Sequence, residues 1–186
     1  MKIAYQKTLP KGPTPVFLMK DEDKIERHPF YKTLEKPDQE YLVKFQKNFP
    51  VKKEHNHPIV LPSGVKVLLI GLGEKTKFNH RKAILTARRV VIVAKKEKVK
   101  NIAVYLDDFL AKENKDNKKS LIEVLATQME MANFEFVKYR TPEPTGWFFV
   151  QEVCFLSQKP NPSLVEAVLT GQIIGEEINN ARNLSN

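Results

Sequence analysis

Little in this sequence lends itself to covalent or redox chemistry. Cys154 is its one cysteine, so no intrachain disulfide can form, which fits a reducing compartment. No apolar run reaches the length needed to cross a membrane. The N-terminus, Met-Lys-Ile-Ala-Tyr-Gln-Lys, lacks the apolar centre of a secretory signal. The expectation is a cytoplasmic protein with no membrane partner. There is no internal repeat and no low-complexity tract. No Ser/His/Asp arrangement is legible, and Cys154 lies in an apolar stretch that suits an inert core thiol. His55 and His57 share one face of an extended segment but have no third ligand beside them, so they read as a solvated loop before Pro58. Asp107 and Asp108 are adjacent at a strand exit, where they point to opposite faces and make a poor catalytic pair.

What the chain does have is enough apolar residue, 41% of 186, to build one domain. Short apolar runs alternate with helical patterns. Strands are expected at Lys2–Gln6, Pro15–Met19, Ile59–Leu61, Val65–Ile70, Asn101–Leu106, Phe134–Arg140 and Trp147–Leu156. Pro62-Ser63-Gly64 reads as a hairpin turn. Helices are expected at Asp38–Phe49 with Asp38 as the cap, from Asn79 to Lys98, from the capping box Ser120–Glu123 to Asn133, and from a second box, Ser163–Glu166, to Asn180. Asp107–Lys119 reads as a charged loop. This order argues for an α/β fold: a mixed, largely parallel sheet with helices on both faces. Residues 1–162 form the main unit, and the break at Pro160–Pro162 sets off the helix in 163–186.

The centre of the sequence runs from Val65 to Lys98. A buried strand reaches Gly71-Leu-Gly73, expected to be a tight turn, and a helix follows. A dinucleotide fingerprint needs a third glycine at position 76, where Thr76 stands instead. Lys75–Lys100 holds ten Lys/Arg and one acid, Glu97, which equals the whole formal charge of +9. On a helical wheel, Arg81, Lys82, Arg88, Arg89, Lys95 and Lys96 share one side. Ala83, Ile84, Ala87, Val90, Val91 and Ala94 take the other and should face the sheet. Leu85 and Ile92 fall inside the basic stripe. That stripe is either a solvated face or a docking surface for nucleic-acid phosphates or an acidic partner.

From Val67 onward the chain resembles the N-terminal domain of the leucyl aminopeptidase (cytosol aminopeptidase) family. The similarity rests on Val67-Leu-Leu-Ile-Gly-Leu-Gly73 with its Ala-rich basic helix, the strand at Asn101–Leu106, the segment around Gly146, and Gly171-Gln-Ile-Ile-Gly-Glu-Glu-Ile-Asn-Asn-Ala-Arg-Asn-Leu-Ser-Asn186. The last piece resembles the family's interdomain helix and its Ala-Arg-x-Leu-x-Asn junction. The resemblance implies a macrodomain-like fold and a catalytic domain following the junction. Two divalent metal ions, Zn or Mn, would sit in that later domain on Lys, Asp and Glu residues, within a homohexamer. No Asn-Thr-Asp-Ala-Glu-Gly-Arg-Leu type motif occurs here, so no catalytic or metal-binding residue carries over to any position. The expected function is a non-catalytic domain serving assembly or substrate access. The alternative is a nucleic-acid-binding module that uses the basic helix 80–98 on DNA.

Overall fold

The computed structural model describes residues 1–49, 51–52, 55–110, 117–138, 140–142, 144, 146–157 and 161–185. Its strands are β1 (Lys2–Gln6), β2 (Thr14–Lys20), β3 (Asn56–Val60), β4 (Lys66–Gly73), β5 (Asn101–Tyr105) and β6 (Glu152–Leu156). They form one six-stranded sheet in the order β1-β6-β5-β2-β4-β3. Every pairing is parallel except β3 with β4, the expected hairpin. Four helices accompany them: α1 (Lys36–Asn48), α2 (His80–Lys96), α3 (Lys118–Asn133) and α4 (Pro162–Ser185).

Away from their ends the central strands are apolar because both faces of the sheet are covered. Val16, Leu18, Leu68, Ile70, Ile102, Val104, Val153 and Phe155 point to a core closed by α2, α3 and α4. Phe17, Met19, Val67, Leu69, Ala103, Tyr105, Cys154 and Leu156 point to the other, closed by α1 and two short 3-10 turns. The two sets alternate along each strand, as the pleat requires. On the first face α3 lies between α2 and α4, and α4 also touches β1.

Several local expectations need correction. Asp38 does not cap α1, which starts at Lys36 after Glu35. Instead Asp38 is buried, and its carboxylate accepts from the Ser63 amide at 3.0 Å and from the Ser63 hydroxyl. It fastens α1 to the β3–β4 turn. The cap of α3 is Asn117, whose side chain accepts from the Ser120 amide, and Asn161 serves α4 in the same way at Ser163; neither expected capping box forms. Gly71 and Gly73 are no turn, because β4 runs through both. Gly71 is needed for space: a Cβ there would overlap the Lys52 carbonyl. Gly73 has φ 79° and stands where the β2–β4 register shifts. His57 is a β3 residue rather than part of a loop.

The last correction concerns the approach to β6. No strand forms over the described part of Phe134–Arg140, and β6 is only Glu152–Leu156. The pattern there is apolar, but among the described residues no strand pairs with Phe134–Lys138 or with Trp147–Gln151. Asn133 supplies the partner: its Nδ2 donates to the Val150 carbonyl at 2.8 Å, and its Oδ1 accepts from the Val150 amide at 2.9 Å. Of the sequence expectations, Pro50, Glu54, residues 111–116, Tyr139, Glu143, Thr145, residues 158–160 and Asn186 lie outside the described residues.

Candidate functional site

The basic helix has the orientation its wheel requires. Asn79 caps it, its side chain accepting from the Lys82 amide at 3.0 Å. Ala83, Ala87, Val90, Val91 and Ala94 are buried against the sheet. Its C-terminus closes in a Schellman motif: the Val99 amide reaches the Ala94 carbonyl at 2.9 Å and the Lys98 amide the Lys95 carbonyl at 3.1 Å. Lys98 occupies the left-handed position of that motif, φ 53°.

The six cations do not act as one group. Arg89, on one flank, donates to the Gly71 carbonyl at 2.9 Å and the His55 carbonyl at 3.2 Å, clamping α2 to the hairpin. On the other flank Arg88 bonds Gln128 of α3, and Lys95 pairs with Glu135 at 2.7 Å. The centre of the exposed face is Arg81, Leu85, Ile92 and Lys96, with Lys82 beside them. Leu85 and Ile92 are 52% and 57% exposed. The outer face is thus half aliphatic, and three of the six cations serve the fold.

A second feature has no signature in the sequence. The connection leaving β2 goes to the α1 side of the sheet, while those leaving its neighbours β4 and β5 go to the α2–α3 side. A crevice opens where adjacent parallel strands part in this way. Here it measures about 380 Å³ and is lined by Asp21, Lys24, Arg27, His28, Lys75 and Asp108 among others. The Asp21 amide donates to the Gly73 carbonyl at 3.0 Å, tying the exit of β2 to β4. His28 and Asp108, 80 residues apart, meet at 3.0 Å. The Phe30 amide donates to His28 Nδ1 at 3.2 Å, so Nε2 carries the proton and donates to Asp108 Oδ2. With both ring nitrogens engaged and Phe17, Phe30 and Tyr105 packed around it, His28 positions the crevice wall and has no lone pair left for base catalysis. Lys20 reaches the Asp108 carbonyl at 3.1 Å. Burial holds its ammonium below the usual lysine range, Asp108 and Asp23 oppose that, and Lys75 adds to it.

The remaining sequence candidates stay apart. The His55 and His57 rings lie 5.7 Å apart between centroids; among the described residues no three His, Cys, Asp or Glu side chains gather as metal ligands. Asp107 pairs with Lys118 at 2.8 Å, away from Asp108. Cys154 is buried, and burial pushes its thiol up to about 11. On α4, the inner face packs on α3, while Val165, Leu169, Ile173 and Leu184 are exposed on the outside.

Fold and site together define a mixed α/β domain with a crevice at the carboxyl ends of its central strands and no assembled catalytic group among the described residues. The family model for the N-terminal domain of the cytosol aminopeptidase family matches residues 47–143, and the chain belongs to that family. No curated protein sequence matches it. Among solved structures, a mutant of tomato leucine aminopeptidase superposes with TM-score 0.73 at 17% identity, over 99% of this chain and 38% of that one. The bottromycin maturation enzyme BotP, in complex with Mn, superposes with TM-score 0.60 at 16% identity, over 93% of this chain and 31% of that one. At these identities the likeness is one of fold, and this chain spans under two-fifths of either relative.

Proposed function

We propose that this chain is the non-catalytic N-terminal domain of a metal-dependent leucyl aminopeptidase, whose complete form removes N-terminal amino acids from peptides in the cytoplasm. The observation that carries this reading is the family match over residues 47–143, supported by a superposition that takes in 99% of the chain. The donor set supports it as well. Among the described residues no three His, Cys, Asp or Glu side chains gather as metal ligands, and Asp108 and Asp107 are taken up separately by His28 and Lys118. These residues do not fit a site for two divalent ions, so the Zn or Mn of the complete enzyme belongs to its catalytic domain. α4 serves as the interdomain helix. Its exposed aliphatics Val165, Leu169 and Ile173 suit contact with the catalytic domain and with the hexamer that domain builds.

The test is a peptidase assay on the chain alone with leucyl p-nitroanilide and added Mn or Zn. No turnover above buffer is expected. Metal-dependent turnover by the pure chain would show that its chemistry lies within these residues after all.

A further inference from the structure

We propose that the crevice at the ends of β2, β4 and β5 binds a small zwitterion of amino-acid size, its ammonium group on Asp21 and its carboxylate on Lys75 and Arg27. The proposal does not depend on the aminopeptidase reading. Three observations lead to it.

The first is place. The crevice sits at the point where the connections of neighbouring parallel strands part to opposite faces of the sheet, the position at which open α/β sheets take ligands. Its volume, about 380 Å³, lies at the small end of the range for ligand cavities.

The second is an unmet acceptor. Asp21 lines the crevice, and its Oδ1 is buried without a hydrogen-bond partner. A buried carboxylate oxygen left alone is costly. Of the other carboxylates in the lining, Asp23 accepts from the Lys20 amide at 2.8 Å, Asp108 accepts from His28, and Glu22 is exposed to solvent. Asp21 is therefore the position that calls for a donor from outside the chain.

The third is the opposite charge. Lys24, Arg27 and Lys75 line the same cavity and have no ion-pair partner among the described residues. Lys75 also lies close enough to Lys20 to disfavour its charge. An anion beside Lys75 would relieve that repulsion. Asp21 thus calls for a cation and the unpaired cations for an anion, and one molecule carrying both charges satisfies them together. A simple anion would leave Asp21 unmet, and a simple amine would leave Lys24, Arg27 and Lys75 without an anion.

The experiment is an amide NMR titration of the whole chain with L-alanine, N-acetyl-L-alanine and L-alaninamide. L-Alanine should give saturable shifts at Asp21–Lys24 and Lys75, and each blocked analogue should bind about tenfold more weakly, as loss of one charged hydrogen bond requires. Asp21→Asn should weaken L-alanine and L-alaninamide but not N-acetyl-L-alanine, and Lys75→Ala should do the reverse for the carboxylate. Lys75 is exposed, so its variant decides the matter even if Asp21→Asn fails to fold. No saturable shift with L-alanine up to about 50 mM, or equal binding of L-alanine and its N-acetyl form, would overturn the proposal.

Discussion

Replacing Gly171 by alanine sets two terms against each other. Alanine is the better helix former by about 1 kcal/mol, so at an exposed site in α4 the change would stabilise. Gly171, however, faces α3. A Cβ built there overlaps the Glu123 carbonyl oxygen and comes within 2.9 Å of the Glu123 carbonyl carbon and 3.0 Å of Ala126 Cβ. Both backbone atoms belong to a helix and cannot step aside, so the helices must part. Overpacking of this kind costs about 1–3 kcal/mol. Parting also stretches the 2.9 Å bond from the Thr127 hydroxyl to the Gly171 carbonyl, worth about 1 kcal/mol. The net expectation is a loss of about 1–3 kcal/mol, or roughly 3–10 °C in Tm for a chain of this size. Urea and thermal unfolding followed by circular dichroism would measure it. Asn180→Ala, an exposed position on α4, isolates the propensity term and should be neutral or slightly stabilising. If Gly171→Ala unfolds no earlier than the unmodified chain, close contact between α3 and α4 is not what the glycine provides.

Other perturbations test other parts of the fold. Lys98→Gly should stabilise by up to about 1 kcal/mol, because Lys98 holds a left-handed conformation that glycine adopts freely; a lower urea midpoint would contradict the Schellman assignment. Cys154, with its thiol raised from 9.0 to about 11, should be almost wholly protonated at pH 8, with roughly one thiolate in a thousand. It should react with a disulfide reagent only as fast as the chain unfolds. Because the folded value lies above the unfolded one, this group favours folding below about pH 9 and loses that contribution as pH rises through about 11; faster labelling of folded than of urea-unfolded protein would refute the burial. Arg89→Ala removes the clamp on the Gly71 and His55 carbonyls and should cost about 1–2 kcal/mol. Arg81→Glu with Lys96→Glu should leave stability within about 0.5 kcal/mol. That double variant should lower DNA affinity at low salt only as far as its change in net charge predicts; a larger, steeply salt-dependent loss would identify the outer face of α2 as a phosphate-binding surface.

The sheet was legible where strands are buried on both faces. Val67–Ile70, Ile102–Val104 and Val153–Leu156 are continuous apolar runs, and no other placement hides them. The inner face of α2 was legible for the same reason, through its 3.6-residue period. Patterns failed where a side chain takes the place of backbone. Trp147–Leu156 reads as one strand, yet the backbone of Val150 bonds to the Asn133 side-chain amide before β6 begins, and one asparagine leaves no trace in periodicity. Asp38, Asn117 and Asn161 show the same limit, since a cap or a tie depends on which amide lies within reach. The six-residue basic stripe was correctly placed on one side of its helix, but the partners of Arg88, Arg89 and Lys95 come from other elements. The crevice was beyond reach altogether: Asp21, His28, Lys75 and Asp108 meet only because three strands end side by side.

The Asn133 clasp has a consequence for how this domain tolerates change. Because one side chain fixes both backbone groups of Val150, the end of α3 and the entry to β6 are joined across the segment between them. The stretch between Asn133 and Val150 is thereby held at both of its ends. Insertions or deletions within it alter chain length without moving β6 in the sheet, and the closure entropy of a longer loop rises only slowly. This is where the domain can accept foreign sequence, and Asn133 is the residue that such a graft must keep.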